Sequence, residues 1–223
     1  MQDQEERINL VPSLKKAILE PMADPIKDLG EIMIDTVFED GVLKDIPIIR
    51  TIAGVARIGI CIRERNLAKN TFAFIYGVRS QQIPQDKMEK YRMRLENPKQ
   101  AEKELGYALI LLDKETQTKK AELYGKAYRA FIEEIISWDQ FVELTEAISR
   151  MFMTDFRHLD RVAEGMSLQA GVREEELYGF QRLKGLGLVA EENVSATGTT
   201  LVFDRRFYLT SFGKTLWNFI ESE

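Results

Sequence analysis

The chain has 223 residues and a formal net charge of −5, with 44% apolar and 30% charged residues. This composition is typical of a folded globular protein and excludes a wholly disordered chain. A single cysteine, Cys61, excludes an internal disulfide and any metal site built from several cysteines. With six prolines and no Ser/Gly-rich linker, helices packed against each other are expected.

The N-terminal stretch MQDQEERINLVPSLKKAI is acidic and polar. A secretory signal peptide instead begins with basic residues that precede an apolar run. We therefore expect a cytoplasmic protein, which would be peripheral at the inner membrane if it binds lipid.

Residues 1–80 are expected to form an apolar helical hairpin. Ser13 is predicted to cap a short helix that stops before Pro21. A second helix is predicted to begin at Pro25 and end at Gly41, because apolar residues recur between them at helical spacing. The charge is segregated here: residues 1–44 contain five basic and ten acidic residues, whereas residues 45–80 contain six basic and two acidic residues.

The stretch Ile46–Ile62 predicts an amphipathic helix with a wide apolar face and a narrow polar stripe that contains Arg50 and Arg57. It is shorter than the roughly 20 residues that a membrane span needs. Each central arginine also costs about 2.5–3.5 kcal/mol on insertion. Three interpretations stay open: a core helix, a helix lying in an anionic membrane surface, and a spanning helix within an oligomeric pore. Contacts with a membrane or a partner are predicted for Arg50, Arg57, Arg63, Arg65, Phe72, Phe74 and Tyr76.

Residues 84–160 alternate charged and apolar residues in the manner of bundle helices. Ser137 is followed three residues later by Gln140, which fits a capping box. The helix that begins there is expected to bury the side chains of Phe141, Leu144, Ile148, Met151 and Phe152.

Residues 161–223 read as a helix, a strand, a polar turn, a second strand and a closing helix, with Thr210 or Ser211 capping the last. This pattern resembles the winged-helix fold of MarR- and PadR-like regulators, and the residues that carry the resemblance are Leu183, Gly187, Leu188, Val189, Tyr208, Leu209, Thr210, Gly213 and Leu216. The expected fold is therefore mostly α-helical: a helical bundle with an apolar N-terminal hairpin and a C-terminal winged-helix-like module with a small β-hairpin.

In that family the helix corresponding to Arg173–Lys184 enters the DNA major groove with its N-terminal residues first. Here that end reads Arg-Glu-Glu-Glu, and carboxylates facing phosphates oppose binding. DNA binding is therefore disfavoured relative to a structural or protein-contact role. If the chain does bind DNA, the resemblance assigns the contacts to Arg173, Arg182, Lys184, Arg205 and Arg206.

Residue patterns that would indicate catalysis, metal binding or nucleotide binding are weak in this sequence. His158 is the only histidine, and a lone histidine among charged helix residues is more often a surface or satisfied polar group than a ligand. Gly54 and Gly59 have the spacing of a P-loop but lack the Lys-Ser/Thr that binds phosphate and magnesium. We therefore expect no catalytic residues, no metal, no cofactor and no small-molecule substrate.

The helical part also resembles small bacterial proteins, some from phage-defence neighbourhoods, through its IP…GI…IRER stretch and its SWDQF helix start. The hypothesis is a non-enzymatic, bacterial-type interaction protein that acts through a protein partner or homo-oligomer. In this hypothesis it associates with membranes through its Arg-bearing helix and serves as a phage-defence or stress effector. The alternative is a winged-helix transcriptional regulator with an N-terminal oligomerisation domain.

Overall fold

The structure, a computed structural model, describes residues 10–20, 46, 48–49, 51–52, 62–165, 167–168, 174–195 and 203–221. Only the backbone is described at 167–168, 174–176, 193–195 and 203–205. The described chain is mostly helical with a small antiparallel sheet, which confirms the predicted class. It forms two compact units, Met1–Phe141 and Val142–Glu223, whereas the sequence suggests three segments.

The first unit contains α1 (Val11–Leu19), α2 (Ile62–Arg79), α3 (Gln85–Arg94), α4 (Pro98–Lys114) and α5 (Thr118–Ile132). Helix α6 (Trp138–Arg150) begins in the first unit and continues into the second. The second unit then contains α7 (Met153–Ala163), β1 (Ser167–Leu168), α8 (Glu174–Gly185), β2 (Val189–Ser195), β3 (Phe203–Leu209) and α9 (Ser211–Glu221). The helix predicted between Pro25 and Gly41 lies outside the described residues, as does most of Ile46–Ile62.

Helix α1 begins at Val11, so the prediction that Ser13 caps it is wrong. Leu10 occupies the N-cap position, and the Ser13 hydroxyl lies 3.1 Å from the Thr51 hydroxyl instead. The helix ends at Leu19, where the sequence predicts its end.

Two arginines hold the C-terminal end of α1. The Arg79 guanidinium donates to the Ala17 carbonyl at 2.8 Å, and that of Arg92 donates to the Leu19 carbonyl at 3.1 Å. Burial lowers the pKa of Arg79. The last carbonyls of a helix have no partner within the helix, and a cation there also offsets the negative end of its dipole. These contacts attach α1 to residues near the ends of α2 and α3.

Helices α2 and α5 cross with their backbones almost in contact. A Cβ atom at Gly77 would lie 2.1 Å from the Glu122 carbonyl oxygen, and one at Gly125 would lie 2.1 Å from the Phe74 carbonyl oxygen. A side chain at either position therefore requires the helices to separate. The approach leaves α5 enclosed, with every residue from Lys120 to Ile132 buried.

The aromatic core of the first unit surrounds Tyr128, which is fully buried. Its ring lies edge-on to Phe74 at 5.3 Å, to Phe131 at 5.7 Å and to Phe141 at 5.2 Å between ring centroids. The Tyr128 hydroxyl is hydrogen-bonded to that of Tyr91, and burial raises the pKa of both tyrosines. Pairing the two hydroxyls removes most of the cost of burying them.

Glu134, two residues after the end of α5, lies in the left-handed region with φ of 62°. Its carboxylate pairs with Lys87, at 2.5 Å, and with Lys90, so it ties α3 to the end of α5. Hydrogen bonds from these two lysines lower the pKa of Glu134 to about 2.

The capping box predicted at the start of α6 is confirmed. The Ser137 N–H donates to the Gln140 side-chain oxygen at 2.8 Å, and the Gln140 N–H donates to the Ser137 hydroxyl at 3.2 Å. Four of the five side chains expected inside are buried, namely Phe141, Leu144, Ile148 and Met151. Phe152 is instead 60% exposed, because α6 ends at Arg150 and its periodicity does not extend that far.

The second unit carries a three-stranded antiparallel sheet in the order β1-β3-β2, with Val189 opposite Leu209 and Glu192 opposite Arg206. Gly187 turns the chain from α8 into β2 with φ of 74°, and the Thr210 hydroxyl accepts the Gly213 N–H at 2.9 Å. Both the glycine turn and the cap at Thr210 are therefore as predicted. Strand β1 was not predicted from the sequence.

We predict that Gly125→Ala destabilises the fold by roughly 1–3 kcal/mol or more, because the new Cβ overlaps the Phe74 carbonyl. At Gly106, within α4, a Cβ meets only the Glu102 carboxylate at 3.5 Å. Gly106→Ala is therefore the matched control and should stabilise by about 0.5–1 kcal/mol. Thermal unfolding of the two variants checks this, and similar melting temperatures would contradict the close crossing.

We predict from the pKa of Glu134 that its contribution to stability is complete above its ordinary pKa and disappears as pH falls through about 2. The sign follows because the folded state holds this carboxylate deprotonated more strongly than the unfolded chain does. A ¹³C NMR titration of the Glu134 carboxyl measures this pKa. Replacing Lys87 and Lys90 by Gln should return it towards its ordinary value, and an unchanged midpoint would refute the assignment.

Candidate interaction surface of the second unit

Arg182 is locked to a buried carboxylate. Asp155 is fully buried at the start of α7, and the Arg182 guanidinium on α8 donates to both of its oxygens, at 2.5 and 3.1 Å. This pairing raises the pKa of Arg182. The same carboxylate accepts the Phe152 N–H at 2.8 Å, which caps α7. Arg182, predicted as a DNA contact, therefore also joins α7 to α8.

The other cations predicted to contact DNA have carboxylates close by where the structure describes their side chains. Lys184 on α8 pairs with Glu191 on β2 at 2.7 Å. Arg206 on β3 is exposed and faces Glu192 across the β2–β3 ladder. Arg205 is described by its backbone alone, opposite Asn193, and Arg173 lies outside the described residues. DNA contact by these residues stays a prediction.

Three large apolar or aromatic side chains are exposed at the start of α7 and on α8, the helices that carry Asp155 and Arg182. Phe152 is 60%, Met153 40% and Tyr178 53% exposed. The Arg182 guanidinium carbon lies 4.8 Å from the centre of the Phe152 ring, a cation–π distance. Tyr178 precedes Arg182 by four residues on α8, the spacing of neighbours on a helix surface. We call Phe152, Met153, Tyr178 and Arg182 the aromatic patch.

The sequence predicts that Phe152 is buried in the core, and it does not predict Met153 or Tyr178 as contact residues. One signal was available, because an aspartate three residues after Phe152 marks the first turn of a new helix and places Phe152 outside it. The pairing of Asp155 with Arg182 across 27 residues has no comparable signal.

The residues predicted to touch a membrane or partner are dispersed in the first unit. Phe72 and Phe74 are buried in the core, at 2% and 1% exposure, so neither ring is available at the surface of this fold. Tyr76 is half-buried and Arg65 is exposed. Arg63 is exposed and pairs with Asp113 through its Nε at 2.9 Å, which lowers the pKa of that carboxyl.

Arg50 and Arg57 lie outside the described residues, so their contact with a membrane stays a prediction. The described isoleucines of that stretch, Ile46, Ile48, Ile49 and Ile52, are all at most 4% exposed. Their burial favours the core-helix interpretation for the beginning of the stretch. Each helix that the structure describes is too short or too polar to cross a bilayer.

His158 is a packing and hydrogen-bonding residue. Its Nδ1 lies 2.8 Å from the Thr154 carbonyl, and its ring meets Phe180 edge-on at 5.0 Å. Where residues are described, no three histidine, cysteine, aspartate or glutamate side chains gather as a metal site.

No protein-family model, curated protein sequence or solved structure matches this chain.

We predict that Arg182→Gln destabilises the protein by about 1–3 kcal/mol, because it leaves the Asp155 carboxylate buried without its cation. The exposed pair of Glu146 and Arg150 on α6, at 3.1 Å, provides the control. Glu146→Gln should change the free energy of unfolding by less than about 0.5 kcal/mol. Urea unfolding measures both, and equal small effects would show that Arg182 has no structural role.

Proposed function

We propose that this chain is a non-enzymatic interaction protein and that its second unit is a winged-helix-like module which contacts a protein partner. The order α7-β1-α8-β2-β3, with β1 and β2 on either side of β3, supports the winged-helix comparison. A module of this kind presents the helix before the hairpin, here α8, to whatever it binds.

The observation that carries the proposal is that two of the cations predicted to contact DNA, Arg182 and Lys184, are paired with carboxylates of the module. Arg182 and Lys184 pair with Asp155 and Glu191, and Glu192 lies opposite Arg206. Affinity for DNA comes largely from cations that replace the counterions of phosphates. Cations already paired with carboxylates have little to offer a phosphate backbone.

The net charge of the second unit also disfavours DNA binding. Residues 142–223 contain nine Lys or Arg and thirteen Asp or Glu, a net charge of −4. A duplex would be repelled at long range. The aromatic patch has the composition that is enriched at protein interfaces, namely aromatic residues, methionine and arginine.

We expect a photo-crosslinking residue at position 178 to capture a discrete protein partner in the cells that make this chain. The same residue at Lys214, which is exposed on α9, should capture none and serves as the control. Immunoblotting and mass spectrometry measure the capture.

The regulator alternative makes the opposite prediction, and fluorescence anisotropy with duplex DNA tests it. Tight binding that weakens steeply with salt and disappears in Arg206→Glu would overturn the proposal in favour of a DNA-binding regulator.

A further inference from the structure

We draw no further inference here: the strongest candidate, the aromatic patch at the start of α7 and on α8, carries nothing beyond the proposed function, because nothing in the described part of the chain shows what covers its exposed side chains.

Discussion

The first unit depends on the close crossing of α2 and α5 at Gly77 and Gly125. Helices normally pack with their axes 8–10 Å apart, and that distance is set by the side chains between them. Here two glycines remove the side chains, so each helix presses on a carbonyl of the other. Tyr128 of α5 then packs against Phe74 of α2 and Phe141 of α6.

Helix α5 carries charged side chains into the interior of the first unit, which is unfavourable unless nearby groups pair with them. Lys126 and Arg129 are at most 5% exposed, and charged groups at such depth need partners. Lys126 lies 3.3 Å from Glu122, one turn earlier on the same helix, and Arg129 donates to the Ser80 hydroxyl at 2.8 Å. Burial lowers the pKa of Arg129, whose nearest carboxylate in the described part of the chain, Glu133, is 4.0 Å away. A pair within α5 and a hydrogen bond to Ser80 thus offset part of the cost of burying these two cations.

Helix caps and turns could be predicted from the sequence, whereas contacts between residues far apart in the chain could not. The capping box at Ser137, the cap at Thr210 and the turn at Gly187 each depend on a few adjacent residues, and each is present. The sequence predicts Phe74 at a membrane or partner surface because it follows an apolar stretch, but its buried ring packs on Tyr128, which lies in another helix far along the chain. In the same way, the sequence offers Arg182 as a DNA contact because its partner Asp155 lies in another helix. Patterns of period 3.6 identify faces of helices, but they do not identify what each face meets.

The contact between α7 and α8 gives this protein a built-in spectroscopic reporter. A Cβ atom at Gly179 would lie 2.6 Å from Nε2 of His158, so the imidazole rests directly on the backbone of α8. Its ring also packs edge-to-face with Phe180, and the ring current of Phe180 shifts the resonances of nearby protons. Because the chain has a single histidine, its imidazole signals need not be distinguished from those of another histidine. A rearrangement of α8 relative to α7, whether by binding, heat or substitution, should therefore change the NMR signals of this one imidazole.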